Sequence, residues 1–576
     1  MNNNLHLKKI IDLFNKNLFN EALQLCEEYK SNKNQHIIKN IIGAIFLKQK
    51  KFDLAKDNFF KAISLNEKFI DPYNNLYHLF NIVKDKQNLK LISKKIYEFD
   101  KNNPISNFKS GYAYEINGEY TLAINFYDKA LQNGFKDKKV IYNNLGNVYL
   151  QLDKIEKSIQ FFSLALEDDK NNKIIINNLI KAELKNKDLI KIEELLNKAK
   201  EIDENYYEFL INKADFFILK NQFNEAIDLL NKIINVPKNP NPNAYIMLCK
   251  IYFTKGEIER GKKIINQITN LYPNNIDVIR FKGMRDLYDG DFESGWKNYE
   301  LRISSMNNLY SEIPKWKGEE LSKKKLLVYN EQGIGDCIQF SKYLLPLAKY
   351  CKDIDFIPNK KLKEIFKNDL NEINICDKKD LNIDTYDYKI PLGSLPKFFF
   401  REINKYNNNL ILVNSKKSEY FKNKIDKSKI NIGLVWSGSI NGPNEPYRSI
   451  SLSKFDKILS LNANFYSIQN EIRKEDESYF NKSNIINYGD LLLSDMPSFM
   501  NTLDLVITTD TSFLHFSGSI KKETWALLSL YPDWRWGKFY DLDPYTNMKI
   551  YKQIKFDNWD EVLNLVYNDL KKKTNY

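Results

Sequence analysis

Small and aromatic residues recur along the first half of the chain with a period of about 34 residues. One copy places Gly111, Ala123 and Tyr127 at fixed offsets, and the next copy repeats those offsets from Gly146. The pattern predicts two antiparallel helices per repeat, in which the small residues let the backbones approach closely and the aromatic residue fills the groove to the next repeat. Nine registers follow this spacing, at Ile10, Gly43, Tyr77, Gly111, Gly146, Ile180, Ala214, Cys249 and Gly283.

The pattern changes in the second half, where short apolar strands alternate with helices from about residue 323. Such alternation is typical of βαβ units around parallel sheets, whose ligands bind at the carboxyl ends of the strands. We therefore predict an α-helical repeat array over residues 1–305, followed by α/β structure in two Rossmann-like halves, 306–425 and 430–576, that face each other across a cleft. A polar stretch, Ile403 to Lys429, is predicted to contain their junction. The predicted strands are Leu326–Asn330, Asp355–Pro358, Ile432–Trp436, Phe465–Gln469, Leu505–Thr509 and Thr524–Leu530.

Composition excludes several classes of protein. The hydrophobic content of 43% argues against global disorder. The net charge is +13, but the chain has only eight arginines and none before Arg260, so a nucleic-acid partner is not favoured. Five scattered cysteines without CxxC spacing exclude a disulfide framework and a zinc ribbon. The polar start, Met1 to Asp12, is unlike a signal peptide, and no apolar run is long enough for a membrane span. We expect a cytoplasmic protein.

The periodic half resembles the tetratricopeptide repeat. Asparagine stands two residues before the anchor in four repeats, and this position resembles the asparagine ladder of the eukaryotic O-GlcNAc transferase. An amide donates and accepts, so it can bind a main chain of any sequence. The resemblance implies a protein or peptide acceptor on the repeats, and the alternative is an array that only spaces or dimerises the protein. The four residues are Asn75, Asn144, Asn178 and Asn212.

Two loops at predicted strand ends are rich in glycine. In Glu331–Asp336, Gly333 and Gly335 allow a tight turn and the close approach of a ligand before a helix expected near Ile338, and we predict that both bind the donor. Asp336 at that helix start is either an N-cap or a base that points into the cleft.

The second glycine-containing loop has Ser437 and Gly438 after a strand, followed by Arg448, and we predict that all three bind the donor. A guanidinium suits a diphosphate better than an ammonium does, and the alternative for Arg448 is a surface ion pair.

Two further loops follow later strands. Asp510 ends a buried strand, and Thr511 and Ser512 open a helix whose free N–H groups form an anion site. His515 lies one turn on, toward the same ligand, and is with Asp336 a candidate catalytic residue. The loop Tyr531–Trp536 offers aromatic planes and an arginine to a base or sugar, or else it is a rigid packed turn.

Together these loops resemble bacterial tetratricopeptide-repeat proteins that end in a glycosyltransferase domain related to the lipopolysaccharide heptosyltransferases. The resemblance implies a GT-B fold, an inverting reaction without a metal and no cofactor beyond the nucleotide-sugar co-substrate. It makes Asp336 the general base, places Arg448 near the leaving diphosphate and puts Asp510, Thr511, Ser512 and His515 in the nucleotide-sugar loop. Gln469 is expected where a polar residue reaches the ribose. The matching runs are Pro314–Gly318, Glu331–Asp336, Pro391–Pro396, Gly433–Gly438, Arg448–Ile450, Asp510–His515 and Pro532–Trp536.

The sequence thus predicts a glycosyltransferase whose acceptor, a protein, is recruited by the repeats. One alternative is sugar transfer in envelope polysaccharide assembly. Another is a non-catalytic scaffold, which the departures from the family pattern at Asn444–Tyr447 and Ser529–Leu530 leave open.

Overall fold

The structure is a computed structural model. It describes residues 3–29, 31–235, 241–305, 309–310, 312–366, 373–405, 411, 413–439, 447–542 and 544–574. The chain divides into two compact units, Met1–Ala226 and Ile227–Tyr576.

Helices alone make up the described part of residues 3–299, in nine consecutive pairs that follow the predicted registers. The seventh pair crosses the limit between the units. The helices are α1 (Asn3–Asn15), α2 (Phe19–Glu28), α3 (Gln35–Lys48), α4 (Phe52–Leu65), α5 (Asp71–Ile82), α6 (Lys86–Phe99), α7 (Pro104–Ile116), α8 (Tyr120–Gln132), α9 (Lys138–Gln151), α10 (Ile155–Glu167), α11 (Lys173–Asn186), α12 (Leu189–Asp203), α13 (Tyr207–Leu219), α14 (Phe223–Ile234), α15 (Pro242–Thr254), α16 (Ile258–Leu271), α17 (Ile276–Asp289) and α18 (Phe292–Tyr299).

Close packing inside each pair explains the small anchor residues. A Cβ on Gly146 would lie 2.5 Å from the ring of Phe162, and one on Gly111 would lie 2.7 Å from that of Tyr127. The aromatic ring therefore occupies the space that glycine leaves in its own repeat. Phe59 also shares a buried cluster with residues of the next helix pair, so the predicted inter-repeat contact is present as well.

The turn inside each helix pair has its own signature. One residue per turn has a positive φ, and its position recurs with the period of the anchors, at Asn17, Lys50, Lys84, Gly118, Asp153, Lys187, Asn221, Gly256 and Gly290. Glycine adopts this left-handed conformation without a steric penalty, and the other residue types do so at a cost of about 1–2 kcal/mol each. Tertiary packing thus imposes the same turn on several residue types.

Two parallel sheets follow in the second unit. The strands are β1 (Lys325–Tyr329), β2 (Asp353–Ile357), β3 (Ile373–Ile375), β4 (Tyr388–Pro391), β5 (Ile430–Val435), β6 (Ala463–Ser467), β7 (Ile486–Asn487), β8 (Leu505–Thr509), β9 (Thr524–Leu528) and β10 (Met548–Lys552). The first sheet has the order β3-β2-β1-β4 and the second the order β10-β9-β8-β5-β6-β7. Each predicted strand is present within a few residues, and the sequence reasoning missed β3, β4, β7 and β10.

Helices surround these sheets, and 3-10 turns such as Glu300–Ser305 and Trp534–Trp536 connect several elements. Helix α19 begins at Ile334, four residues before the expected start, because the glycine-rich loop itself enters the helix. The helices are α19 (Ile334–Ser341), α20 (Leu344–Leu347), α21 (Pro396–Phe399), α22 (Ser415–Lys422), α23 (Asp456–Leu459), α24 (Lys474–Phe480), α25 (Met496–Thr502), α26 (Ser512–Ser519), α27 (Lys538–Leu542) and α28 (Asp560–Thr574).

The last repeats pack with the sheets, although the sequence places their end at residue 305. Leu287, Trp296 and Tyr299 belong to the same buried cluster as Val328 of β1 and Trp534. This shared core joins the last helix pair to the sheets within the second compact unit, which starts at Ile227, well before the repeats end. The prediction of helical repeats followed by an α/β region is confirmed.

Candidate functional site

The strand order of each sheet reverses at one point, and such a point is where open parallel sheets bind ligands. In the first sheet the order reverses between β1 and β4, and in the second between β5 and β8. The loops after these strands contain the glycine-rich segment at Gly333, the Ser437–Gly438 turn and Asp510. The predicted site residues therefore lie at the expected ends of the strands.

Asp336 contacts both the start of its helix and a cation of the other sheet's loops. Its Oδ2 accepts a hydrogen bond of 3.1 Å from the backbone N–H of Gly333, and its Oδ1 forms an ion pair with Arg535. The N-cap of α19 is Gly333, so the predicted N-cap position of Asp336 is wrong: the residue is the third of the helix and closes the capping box from there. Its role as a base stays a prediction. Gly335 lies beside Asp336, where a Cβ would be 2.9 Å from Cδ2 of His515.

The loop that carries Arg535 is a packed turn. Trp534 and Trp536 are 5% and 7% exposed. The Arg535 guanidinium lies over the rings of Trp534 and Phe340 and donates to Asp533 Oδ1 at 2.5 Å. The rigid-turn alternative is therefore correct, and the expected open aromatic platform for a base or sugar is wrong, since burial removes both tryptophan faces from the cleft.

The third loop places two titratable groups close to Arg535. Burial, together with the charge of Asp533, raises the pKa of Asp510 to about 6. Burial, together with the positive charges of Arg535 and Lys342, lowers the pKa of His515 to about 3. His515 Nδ1 lies 2.9 Å from the hydroxyl of Tyr545, and its ring stacks on Trp536. At neutral pH His515 is an uncharged imidazole.

The second and third loops are joined by Arg448. Its Nη1 donates a hydrogen bond of 2.9 Å to the carbonyl of Asp510. Its guanidinium rests on Gly438, where a Cβ would be 2.5 Å from Nη2. At the start of α26, the hydroxyl of Thr511 lies 3.2 Å from that of Thr508, and Ser512 is the first helical residue. A guanidinium therefore faces the helix start that was predicted as an anion site.

Gln469 is buried under the Ser437 turn. Its Oε1 accepts from the N–H groups of Trp436 and Ser437 at 3.0 and 3.3 Å, and its Nε2 donates to Ser437 Oγ at 3.2 Å and to the carbonyl of Glu471 at 2.8 Å. Both ends of the amide are thus used to hold the loop. The expected direct contact with a ribose is not what this geometry favours, because it would break these bonds.

Sequence reasoning missed a buried ion pair that braces the glycine-rich loop. Arg302 Nη2 donates to Glu331 Oε1 at 2.6 Å and to Ser394 Oγ at 3.0 Å, and both members of the pair are at most 5% exposed. The hydroxyl of Tyr299 donates to Gln332 at 2.8 Å. The scarcity of arginine in the chain was the one signal that could have singled out Arg302.

Arg473 was also missed, although it lies close to Arg448. It donates to the carbonyl of Gly438 at 2.8 Å and to Ser449 Oγ at 3.0 Å. Two guanidinium groups thus contact the Gly438 turn. The positions Asn444–Glu445–Pro446 of the family comparison lie outside the described residues.

The asparagines of the repeats bond to neighbouring side chains. Asn75 donates to Asn40 at 2.9 Å, Asn178 donates to Asn143 at 3.0 Å, and the amides of Asn212 and Asn177 lie 2.6 Å apart. Each pair joins successive repeats, 35 residues apart. The fourth asparagine, Asn144, has a different partner and donates to the hydroxyl of Tyr127 at 3.1 Å.

This pairing limits what the ladder can bind. An amide has two N–H groups and a carbonyl oxygen, so one inter-repeat bond leaves capacity for a ligand at half-buried Asn75, Asn144 and Asn178. Asn212 is only 2% exposed, and burial withdraws it from direct contact with an acceptor.

The comparisons with known proteins concern the repeats. The family model described as tetratricopeptide repeat matches residues 106–133 and 140–172. The chain contains tetratricopeptide repeats. A TPR repeat-containing protein of Methanocaldococcus jannaschii is 23% identical over 345 residues, which cover 46% of this chain and 59% of that protein.

Two further similarities are more limited. The BBSome complex member BBS4 of Bos taurus is 25% identical over 105 residues, 18% of this chain and 20% of that protein. The structure of Pseudomonas aeruginosa PilF is 14% identical with a TM-score of 0.29, over 44% of this chain and 99% of that one. This chain thus spans less than two thirds of the curated relatives it matches. Across the described residues, no helix combines the length and apolarity that crossing a bilayer requires.

Proposed function

We propose that the protein is a glycosyltransferase that moves a sugar from a nucleotide-sugar to a protein acceptor recruited by its repeats. The observation that carries the proposal is the meeting of loops from two parallel sheets around Asp336, Arg535, Asp510 and Arg448. Facing sheets with acids and arginines at their strand ends suit a reaction in which a proton and a diphosphate leave in opposite directions. A GT-B arrangement is part of this proposal.

The donor side of the proposed site lies at the second sheet. Arg448, the hydroxyl of Thr511 and the N–H groups at Ser512 would bind the diphosphate, whose charge a guanidinium and a helix start both stabilise. Ser437 and Gly438 would form the adjoining turn, with Gln469 as its support. In this proposal these protein groups stabilise the negative charge of the diphosphate.

The acceptor side lies at the first sheet. The acceptor oxygen would attack the anomeric carbon with inversion, its proton would pass to a carboxylate oxygen of Asp336, and the bond from that carbon to the diphosphate oxygen would break. Gly333 and Gly335 keep the backbone close to Asp336. His515, uncharged at neutral pH, would pack against the loop rather than give a proton.

Arg535 favours a second candidate, a scaffold that binds without turnover. Its guanidinium pairs with one oxygen of Asp336. A carboxylate paired with a cation has to loosen that pair before it can take a proton. The same pair, however, would hold the carboxylate of Asp336 in one orientation when the cleft is filled. The repeats serve protein recruitment in either case.

A thermal-shift screen against nucleoside diphosphates and nucleotide-sugars tests the proposal. Only a ligand that prefers the folded state raises the midpoint, by about 2.7 kcal/mol of stabilisation at a hundredfold excess over Kd. Arg448→Gln should abolish the shift. Arg401→Gln is the matched control, because Arg401 forms an exposed pair with Glu293 on the same unit. No shift with any donor would reject the transferase.

Turnover separates the two candidates. Asp336→Asn should keep the donor-induced shift and lose transfer, since the amide preserves the shape but cannot take the proton. Transfer at the parent rate in Asp336→Asn would remove this residue from the mechanism. Donor binding without any transfer by the parent, across acceptor proteins that the repeats capture, would favour the scaffold.

A further inference from the structure

Tyr299 does not occupy the place that its position in the repeat predicts. In the repeat anchored at Gly146, the ring of Phe162, 16 residues later, lies 2.5 Å from where a Cβ of the glycine would be. Tyr299 stands at the same offset from Gly283, but the atoms nearest to a Cβ on Gly283 belong to Asn298 and to the backbone of Tyr299. The ring of Tyr299 belongs instead to the core that the last helix pair shares with the sheets, and the residue is 5% exposed.

The hydroxyl of Tyr299 holds the glycine-rich loop. It donates to Gln332 Oε1 at 2.8 Å, and the carbonyl of Gln332 accepts from Asn330 Nδ2, also at 2.8 Å. The next residue, Gly333, donates its N–H to Asp336 Oδ2 at 3.1 Å. The residue that Tyr299 holds is therefore adjacent to the group that contacts one oxygen of Asp336.

The ring of Tyr299 supports the contact to the other oxygen. Its centroid lies 5.3 Å from that of Trp534, in an edge-to-face arrangement. The guanidinium of Arg535 lies 4.5 Å from the centroid of Trp534 and pairs with Asp336 Oδ1. Because aromatic pairs and cation–π contacts have preferred geometries, Trp534 relates the position of Tyr299 to that of the guanidinium.

The loop needs such support from outside the sheet. Gly333 and Gly335 lie between β1 and α19, and glycine gives a backbone more conformational freedom than any other residue. Tyr299 is the one side chain that contacts both Gln332, before the glycines, and Trp534, beneath the cation of Asp336. A displacement of Tyr299 would thus act on both oxygens of the carboxylate.

We propose that Tyr299 is a positioning residue that fixes the carboxylate of Asp336 for proton transfer. The role rests on the proposed function, because it affects turnover only if Asp336 is the base. The order that Tyr299 gives to the loop can be measured without a sugar donor.

The first measurement is amide hydrogen exchange of the full chain, followed by mass spectrometry of the peptide Glu331–Cys337. Tyr299→Phe removes one hydroxyl and adds no bulk, and exchange of this peptide should be about fivefold faster, as the loss of one hydrogen bond predicts. Tyr466→Phe is the matched control and should leave the peptide unchanged. Tyr466 is a 2% exposed tyrosine of the same unit, and its hydroxyl also donates to an amide oxygen, that of Asn431, at 3.0 Å.

The second measurement is turnover with water as the acceptor, followed as the release of nucleoside diphosphate from UDP-, GDP- and ADP-sugars. In Tyr299→Phe, kcat should fall about tenfold while KM stays within about twofold, because the base is displaced and the donor contacts are not. Gln332→Met removes the same hydrogen bond from the other side and should lower kcat alike. The double substitution should be no slower than the slower single one, since both remove one interaction.

Exchange at the parent's rate in Tyr299→Phe would overturn the positioning role, and so would an unchanged kcat. Losses that multiply in the double substitution, or an equal loss of kcat in Tyr466→Phe, would overturn it as well. If the parent releases no diphosphate from any of these sugars, the transferase is contradicted, and the exchange of Glu331–Cys337 alone decides whether Tyr299 orders the loop.

Discussion

Acidification should act on the second unit through His515 and Asp510 in opposite directions. His515 has a folded pKa of about 3, below the ordinary value of 6.5, so the stability it contributes is present above pH 6.5 and is lost as the pH falls. Asp510 has a folded pKa of about 6, above its ordinary 3.8, so its proton binds the folded state better and stabilises it as the pH falls through 6.

The magnitudes follow from these values. Between pH 7.5 and pH 5 the shift of His515 removes about 2 kcal/mol from the free energy of unfolding. Over the same interval Asp510, which is half-buried, returns about 1 kcal/mol. The two groups together should therefore lower the free energy of unfolding of the parent by only about 1 kcal/mol. Replacing either group should reveal the contribution of the group that remains.

Urea unfolding followed by tryptophan fluorescence measures this directly, because all seven tryptophans lie between Trp296 and Trp559, in the second unit. His515→Gln keeps a partner for Tyr545, and its stability relative to the parent should rise by about 2 kcal/mol from pH 7.5 to pH 5. Asp510→Asn should change by about 1 kcal/mol in the opposite sense. His36→Gln, in the first unit, is the control and should leave the signal unchanged.

Parallel pH curves for the parent and His515→Gln would refute the reasoning about burial. A change of the same sign in both variants would show that the two groups do not titrate as their surroundings dictate. If the stability of His515→Gln still depends on pH as in the parent, and this dependence disappears only when Arg535 is also replaced, the effect is due to the charge of Arg535.

Three other substitutions have defined outcomes. Gly146→Ala forces its methyl group onto Phe162 and should cost about 1–3 kcal/mol by urea unfolding followed by circular dichroism, with Phe162→Leu recovering part of the loss; an unchanged midpoint would contradict the close packing. Arg302→Met leaves Glu331 buried without its cation and should cost about 3–5 kcal/mol by tryptophan fluorescence, while adding Glu331→Gln should restore part of it; additive losses would contradict the pairing. Gly438→Ala displaces the guanidinium of Arg448 and should abolish the shift with a nucleoside diphosphate that the parent shows; a retained shift would separate Arg448 from donor binding.

The repeat array was predictable because its physics is local and periodic. A glycine that must meet an aromatic ring 16 residues later leaves a mark at each copy, and Gly111 with Tyr127 is enough to set the register. The central strands of both sheets were predictable for the same reason, since burial on both faces demands apolar runs. The peripheral strands β3 and β7 have two or three residues and leave no such run.

The candidate site was predictable in its loops but not in its contacts. Asp336 and Asp510 follow strands that the sequence predicts and the structure contains. No spacing in the sequence, however, reveals that Arg535, 199 residues after Asp336, pairs with it. Gln469 and Asn212 have residue types that suit ligands, and only burial shows that their amides are spent inside the chain. Local pattern gives the element, whereas the partner of a polar group depends on the tertiary fold.

The shared core of α17, α18 and the sheets separates two kinds of repeat within one chain. Trp296 and Tyr299 pack on Trp534, whose neighbour Arg535 pairs with Asp336, so the final helix pair is fixed to the cleft by its side chains. Earlier repeats such as the one anchored at Gly146 are held by an aromatic ring of the same repeat, Phe162, and a repeat of this kind contacts only its neighbours. Removing an early repeat would therefore leave the core of the sheets covered, whereas removing the last pair would expose it to water.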